Sequence, residues 1–386
     1  MWQQYTIEFL KGLARFLLNP MFYWMILLFI FTGYKRMKRE REDFGRKIYP
    51  LFEEGKISWW IPFIASLFLS IVTVVFGLYL NLEIILLLSV IVILWSITGS
   101  TAFLSASYTI GVTFLIALVL PFLPIQQSFL NLDFQELKVE YLTTLALLMG
   151  LFLFLEGFLL KFTSHTSFPS KKLSKRGVSV GQQALKKLIL VPFFVLLPAA
   201  EMPFQLPIFP TFDIGGQAYM LAFIPFVFGY YYPVQSKLPD KAASQLGKPT
   251  IILGILVWLI AGFSFYYSIF SIVAIIIGLA GKEWVTFFFK RQDRLQPSIY
   301  YPLDKGLKVM AIIPDSPAEK LHIHIGETIL KVNGNEVTNG VEFHEALQNS
   351  GAFFKLSVLN VDGEIRFVTS PLYEEDHYAL GLVFTD

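Results

Sequence analysis

Long apolar runs, several of them close to 20 residues, recur through most of this chain. A helix needs about 20 residues to cross the hydrocarbon core of a bilayer, and a run of this length is the usual sign of a membrane span. Phenylalanine accounts for 39 of the 386 residues, and charged residues make up only 16%. The sequence therefore predicts a polytopic α-helical membrane domain over residues 1–294.

About eight or nine helices are expected in this domain. The predicted spans are Phe16–Tyr34, Trp59–Leu80, Leu82–Thr98, Thr101–Leu123, Tyr141–Leu160, Leu188–Ala200, Ala218–Tyr232 and Thr250–Ala280. The last run is broken near Gly262 and is either two short spans or one long helix. The run Leu188–Ala200 is short and rich in proline, so its C-terminal half is expected to leave the helix.

Basic residues predict the orientation of the spans. Segment 35–56 holds eight Lys and Arg, and segment 161–187 holds seven with no acidic residue, whereas segments 124–140 and 201–216 carry hardly any. Because Lys and Arg in short loops stay on the cytoplasmic side, the two basic segments are predicted to be cytoplasmic. If the run 250–280 is a hairpin, the residues that follow it are cytoplasmic as well.

Residues 295–386 have a different character and are predicted to form a second, small domain. They hold six Lys and Arg against thirteen Asp and Glu, so nucleic acid is not an expected partner. The alternation in Gly306–Ile313 predicts a strand, Thr328–Val332 predicts another, and Asn333-Gly334 is a hairpin turn signal. Glu342–Asn349 is predicted to be a helix that carries Phe343 and Leu347 on one face.

The order Ser316-Pro317-Ala318, Gly326-Glu327, Val332-Asn333-Gly334 resembles the bacterial PDZ family, although His322 stands where that pattern has glycine. The resemblance implies a small β-rich α+β domain that binds peptides. The Gly-Leu-Gly-Phe-like loop and groove strand of the family normally come first, but here only the segment Leu380–Phe384 fits them. This implies a circular permutation, and the alternative is that Leu380–Phe384 is merely a closing edge strand.

The predicted site is a groove that accepts a peptide or a C-terminal segment as an added strand. Its predicted residues are Leu380, Gly381, Leu382, Val383 and Phe384 on the strand, with Phe343 and Leu347 on the helix. Gly381 is expected to let backbone N–H groups converge on a terminal carboxylate, because glycine adopts conformations that other residues resist.

Glu156, between Leu155 and Gly157 in an apolar run, is the candidate intramembrane polar residue. An ionisable group inside a span is either part of a proton or ion pathway or a hydrogen-bonded contact between helices. The chain has no cysteine, which excludes thiol catalysis and thiolate metal sites. We find no motif for a metal, a cofactor or a nucleotide, and no nucleophile beside a base, so an enzyme is not expected.

The whole layout resembles the MinJ family of cell-division topological determinants. The resemblance rests on the start Phe16-Leu17-Leu18-Asn19-Pro20-Met21-Phe22-Tyr23-Trp24, the basic loop after it, and the ending Leu372-Tyr373-Glu374-Glu375-Asp376-His377 with Leu380-Gly381-Leu382. It implies a membrane adaptor, enriched at septum and poles, that links the coiled-coil marker DivIVA to the ATPase MinD. Two alternatives stay open: an intramembrane protease or protease regulator, and a transporter-like permease with a regulatory PDZ domain.

Overall fold

The computed structural model describes most of the chain in eleven stretches. They are 20–56, 60–122, 138–162, 167–173, 177, 179–199, 211–214, 216–301, 305–351, 353–371 and 380–384. Some predicted features lie outside them: the first four residues of the run Phe16–Tyr34, the acidic segment 124–137, and the ending Leu372–His377.

Seven helices occupy the described part of the chain before residue 296. They are α1 (Pro20–Phe44), α2 (Trp60–Val75), α3 (Leu82–Ile97), α4 (Ala106–Val119), α5 (Val139–Phe162), α6 (Pro239–Gly262) and α7 (Ile269–Leu295). Among the residues that the structure describes, three segments are long and apolar enough to cross a membrane, namely Val139–Phe162, Pro239–Phe265 and Ile269–Leu295. The break between α6 and α7 confirms that the run Thr250–Ala280 is two helices that end and restart around Gly262.

Helix α5 lies in the main hydrophobic core, with 18 of its 24 residues buried. It packs closely against α6 through glycine. A Cβ atom built on Gly150 would lie 2.6 Å from the nitrogen of Trp258, and one built on Gly157 would lie 2.6 Å from the nitrogen of Ile251. Small residues at such positions allow two helix backbones to approach each other, as they do in membrane helix pairs.

Two of the predicted helical spans are strands. The runs Leu188–Ala200 and Ala218–Tyr232 belong to β2 (Ser179–Pro198) and β4 (Gln217–Val234), which form an antiparallel pair from Gln183↔Val234 to Pro198↔Tyr219. The short strands β1 (Ser167–Leu173) and β3 (Thr211–Ile214) complete the order β1-β2-β4-β3. The sheet is buried against α2 and α5, so its strands are apolar on both faces, as a span would be.

Proline fits these strands because of where their edges lie. The carbonyl oxygen of Phe194 accepts a hydrogen bond from the Thr73 hydroxyl of α2, and its backbone amide donates to the hydroxyl oxygen of Ser70. Since main-chain groups alternate along a strand, the nitrogen of Pro192 also points toward this edge, away from β4. Pro192 therefore removes no hydrogen bond from the β2–β4 ladder. Side chains of α2 provide hydrogen-bond partners for main-chain groups at this edge of β2, which a buried strand needs.

The C-terminal part is a second sheet with its own core. Its strands are β5 (Leu307–Ile312), β6 (Thr328–Val332), β7 (Asn335–Glu336), β8 (Phe353–Leu359), β9 (Ile365–Pro371) and β10 (Leu382–Phe384), in the order β10-β5-β6-β8-β9 with β7 beside β6. The short helix α8 (Pro317–Lys320) and the helix α9 (Gly340–Gln348) accompany them. The β-rich character predicted for this region is confirmed.

Candidate functional site

The structure brings together the groove residues that the sequence predicts. Phe343 and Leu347 lie on the inner face of α9, and Leu382 and Phe384 lie on the facing side of β10. The rings of Phe343 and Phe384 meet edge to face with centroids 4.9 Å apart. All four side chains are buried in the core of this sheet, as is Leu380, so they hold α9 against β10.

Strand β10 is the edge strand of the described sheet. Its neighbour is β5, and the carbonyl of Gly381 accepts a hydrogen bond from the amide of Ile313 in that direction. By alternation, the main-chain groups of Leu382 point to the free edge. Gly381 has φ +83° and Leu380 has φ +52°, so the turn that leads into β10 uses left-handed backbone.

The segment after α1 covers part of this free edge. The Nη2 atom of Arg46 donates to the carbonyl oxygen of Leu382 at 2.7 Å. Val383, on the opposite face of β10 from Leu382, packs with Ile48 and Tyr49 in a small apolar cluster. Burial of the Arg46 guanidinium lowers its pKa from the ordinary value. The C-terminal sheet is therefore docked on the end of α1 by polar and apolar contacts.

A cavity of about 260 Å³ remains beside this contact. It opens between α9 and β10 and is lined on the far side by residues from the end of α1, the segment after it and β1. Its lining is Asp43, Phe44, Arg46, Lys171, Gly340, His344, Leu382, Val383 and Phe384. The carbonyl oxygen of Leu382 at the edge of this cavity already accepts the hydrogen bond from Arg46.

Further contacts hold the two parts together at β2. The side-chain amide of Gln183 donates to the carbonyl oxygen of Met310 on β5. The backbone amide of Gly181 donates to the carbonyl oxygen of Tyr300. Sequence reasoning missed this interface, because its residues lie far apart along the chain; Arg46 and Leu382, for example, are 336 positions apart.

Glu156 lies at a meeting of three helices. Its carboxylate accepts from the Ser105 hydroxyl at 2.7 Å and from the Ala106 amide at 3.3 Å, both at the start of α4, and its other oxygen pairs with Lys282 Nζ of α7 at 2.5 Å. Both charged side chains are buried. The sequence singles out Glu156 alone, because Lys282 lies beyond the apolar run Thr250–Ala280; α7 continues past that run to Leu295 and brings Lys282 to Glu156.

A second buried ionic network ties α1 to the loop behind it. Arg36 pairs with Glu40 at 2.6 Å and with Glu54 at 2.9 Å, and Lys186 of β2 reaches Glu54 at 3.2 Å. Glu40 also accepts from the amides of Ile48 and Tyr49. These contacts fix the segment that carries Arg46, so the docking surface for β10 is itself held in place.

Both clusters are sets of ion pairs and hydrogen bonds that join packed elements. Within the described ranges no three His, Cys, Asp or Glu side chains gather where they would hold a metal ion. Lys282 lies within a candidate span, and its ammonium donates to the carboxylate of Glu156. The Ser105 hydroxyl donates a hydrogen bond to the same carboxylate, and Lys282 Nζ also lies 5.8 Å from the centroid of the Tyr232 ring.

Comparison with known proteins gives a consistent result over the whole length. No family model matches the chain. The chain is 31% identical over 382 residues, covering 99% of this chain and 96% of the relative, to the cell division topological determinant MinJ of Bacillus subtilis strain 168. It is 23% identical over 379 residues, covering 95% and 96%, to the probable cell division topological determinant MinJ of Lacticaseibacillus paracasei.

Proposed function

Since this chain belongs to the MinJ family of cell division topological determinants, we propose that it is a non-enzymatic membrane adaptor in division-site selection. It links a coiled-coil marker of poles and septa, of the DivIVA kind, to an ATPase of the MinD kind. The match extends over nearly the full length of both chains, so the helical part and the C-terminal sheet are both included in it. The three long apolar helices support a membrane location.

Residues 295–386 act in this proposal as a circularly permuted PDZ domain on the cytoplasmic side. The order β10-β5-β6-β8-β9 supports it, because the last strand of the chain is paired with the first strand of the region. His322, which stands where the PDZ pattern has glycine, has φ +53°. A position that demands left-handed backbone is one where glycine is ordinarily preferred.

The observation that carries the adaptor proposal is the edge of β10 beside α9, which has no neighbouring strand in the described sheet and which Arg46 covers in part. A peptide that adds to this edge gains main-chain hydrogen bonds from Leu382 and side-chain contacts from the cavity of about 260 Å³. The edge is short, so the affinity is modest and the contact is reversible, as an adaptor that exchanges partners requires. A bound peptide and the Arg46 contact compete for the same carbonyl.

The experiment is a fluorescent fusion of the full chain, imaged in dividing cells in which the resident relative has been deleted. We expect the fusion to concentrate at septa and poles and to restore medial division. An even distribution around the membrane, at normal expression and without restored division, would falsify the proposal.

A pair of matched variants tests the groove separately. His344→Trp places bulk in the cavity, and Glu345→Trp places the same bulk on the exposed face of α9. We expect the His344 variant to lose recovery of the two division partners in proximity labelling while the Glu345 variant keeps it. Equal recovery from both variants, at equal expression, would place the partner site elsewhere.

A further inference from the structure

A basic cavity of about 160 Å³ lies where α1 meets the turn between α3 and α4. Its lining is Lys35, Arg36, Arg39, Glu40, Gly99, Ser100, Thr101, Phe168, Pro169, Ser170, Ala184, Lys186 and Tyr231. Arg36 and Lys186 are neutralised by Glu40 and Glu54. Lys35 and Arg39 are exposed and form no ion pair with any residue that the structure describes. The cavity thus offers two free positive charges one helical turn apart.

An apolar groove of about 490 Å³ lies next to this cavity, between α1 and α3. Its lining is Trp24, Leu27, Leu28, Ile30, Phe31, Tyr34, Ser96 and Ile97. The hydroxyl of Ser96 and the indole N–H of Trp24 are bonded to each other at 2.7 Å, so the groove presents mainly hydrocarbon. Most of the apolar side chains that line it are exposed, including Leu27 and Ile97.

The groove and the cavity meet at Gly99. A Cβ atom built on this glycine would lie 2.7 Å from Nζ of Lys35 in the cavity and 3.3 Å from Cε1 of Phe31 in the groove. Gly99 has φ +69°, so the turn after α3 needs a glycine for its backbone as well as for its space. A single elongated site therefore has an apolar end along α1 and α3 and a cationic end at Lys35 and Arg39.

We propose that this site holds one anionic phospholipid, with an acyl chain in the groove and its phosphate between Lys35 and Arg39. The free cations select a lipid with net negative charge over a zwitterionic one, because no described acid is available to pair with them. The apolar groove selects a lipid over free phosphate. The basic segment that contains both residues is predicted to face the cytoplasmic leaflet, where anionic lipids and polybasic segments attract each other.

The test is lipid binding to the full chain, purified and stripped of lipid in a neutral detergent and followed by native mass spectrometry. Phosphatidylglycerol is titrated against phosphatidylcholine of the same chain length, and inorganic phosphate is added as a competitor. We expect the anionic lipid to bind more tightly and to be retained at millimolar phosphate. Displacement by phosphate, or equal binding of the two lipids, would overturn the proposal.

Paired variants separate the site from general attraction to a basic protein. Lys35→Ala with Arg39→Ala removes both free charges, and Lys38→Ala with Lys47→Ala removes two charges from exposed positions outside the cavity. We expect the first pair to weaken phosphatidylglycerol binding on the order of 30-fold, from the ordinary effect of two cations on an anionic headgroup. An equal loss in both pairs would leave only non-specific electrostatics and would refute the site.

The apolar end has its own pair. Leu27→Trp fills the groove, and Leu67→Trp adds the same bulk to an exposed position on α2. We expect only the Leu27 variant to lower phosphatidylglycerol binding, while the circular dichroism spectrum and elution volume of both remain those of the parent. Unchanged binding by the Leu27 variant would show that no acyl chain lies between α1 and α3.

Discussion

Glu156 and Lys282 are buried charges that the surrounding apolar core cannot solvate, so each is compensated by its ion-pair partner. Removing one partner of a buried pair leaves an uncompensated charge and typically costs about 3–5 kcal/mol, whereas replacing both with apolar residues is often neutral. We therefore expect Glu156→Leu and Lys282→Met to lower the melting temperature individually, and the double variant to recover most of the loss. Tryptophan fluorescence of the purified protein during heating measures this.

The same variants decide between the two roles that the sequence left open for Glu156. If the pair only joins α4, α5 and α7, the double variant supports division as well as the parent does. If Glu156 belongs to a proton or ion pathway, the double variant is stable but inactive. Glu156→Gln serves as the control, since it keeps the shape of the side chain and removes its charge.

Arg46 is the residue that stands between the β10 edge and an incoming peptide. Hydrogen bonds to a charged group are worth roughly 1.5–3 kcal/mol, so its bond to the Leu382 carbonyl is a real competitor for that acceptor. We expect Arg46→Ala to tighten the binding of C-terminal peptides, selected from a displayed random library, by about tenfold or more. Affinities are measured by fluorescence anisotropy on the full chain in detergent.

The neighbouring exposed lysine supplies the control for this variant. Lys47→Ala removes a positive charge one residue away. Arg46 donates a hydrogen bond to the described β10 strand, whereas Lys47 is exposed and donates none to it. If the two variants bind the selected peptides equally, the carbonyl of Leu382 does not take part in recognition and the groove must be sought on another edge.

At the level of elements, hydropathy located the apolar segments but not their conformation. The spans predicted around α2, α3, α4 and α5 are helices, whereas Leu188–Ala200 and Ala218–Tyr232 are strands. A strand buried on both faces is as continuously apolar as a helix, so its period of two disappears. The available signals were Pro192 in one run and the triplet Tyr230-Tyr231-Tyr232 in the other, since proline disfavours helix interiors and aromatic residues favour strands.

The elements of the C-terminal sheet were easier to predict because they carry local signals. Thr328–Val332 is predicted and observed with the same bounds, and Asn333-Gly334 forms the expected turn with φ of +49° and +90°. Alternation and turn chemistry act within a few residues. The continuation of α7 through Lys282 to Leu295 had no such signal, because the apolar run ends at Ala280 while the helix does not.

The packing of α5 on α6 depends on glycine, and this gives a prediction for one element pair. A Cβ on Gly157 would lie 2.6 Å from the nitrogen of Ile251 and 2.8 Å from the carbonyl oxygen of Gly247, both backbone atoms. We expect Gly157→Ala to destabilise the protein by about 1–3 kcal/mol, the usual cost of overpacking a core. Gly262→Ala is the control, since nothing lies within 4 Å of its Cβ position.

Alanine is the better helix former at both sites, so helix propensity alone favours both substitutions by about 1 kcal/mol. The contrast in melting temperature between the two variants therefore reports the contact and not the helix. A Gly157→Ala variant as stable as Gly262→Ala would mean that α5 and α6 are further apart than these contacts require.

At the scale of the whole molecule, the sequence did not predict the docking of the C-terminal sheet on the segment after α1. The sequence pattern predicted that Phe343, Leu347, Leu382 and Phe384 line a groove, and in the structure these four side chains belong to one buried core cluster. That Arg46 would lie on the same edge follows from no local rule, because the contact depends on how α1, β2 and the C-terminal sheet pack in space. A resemblance to a family names the domains but not the contacts between them.

This docking also constrains how the chain lies across a membrane, and introduced cysteines can test it because the chain has none of its own. The contact of Arg46 with Leu382 keeps the end of α1 and the C-terminal sheet on one side. Helix α7 has 27 residues, about 40 Å at 1.5 Å per residue, which is enough to place Tyr266 on the other side. Tyr266 is 82% exposed.

In protoplasts treated with a membrane-impermeant maleimide, we expect Tyr266→Cys to be labelled, and Lys47→Cys and Glu336→Cys to be labelled only after lysis. Labelling of Lys47→Cys and Glu336→Cys on opposite sides would contradict the docked arrangement, and labelling of both from outside would reverse the predicted orientation.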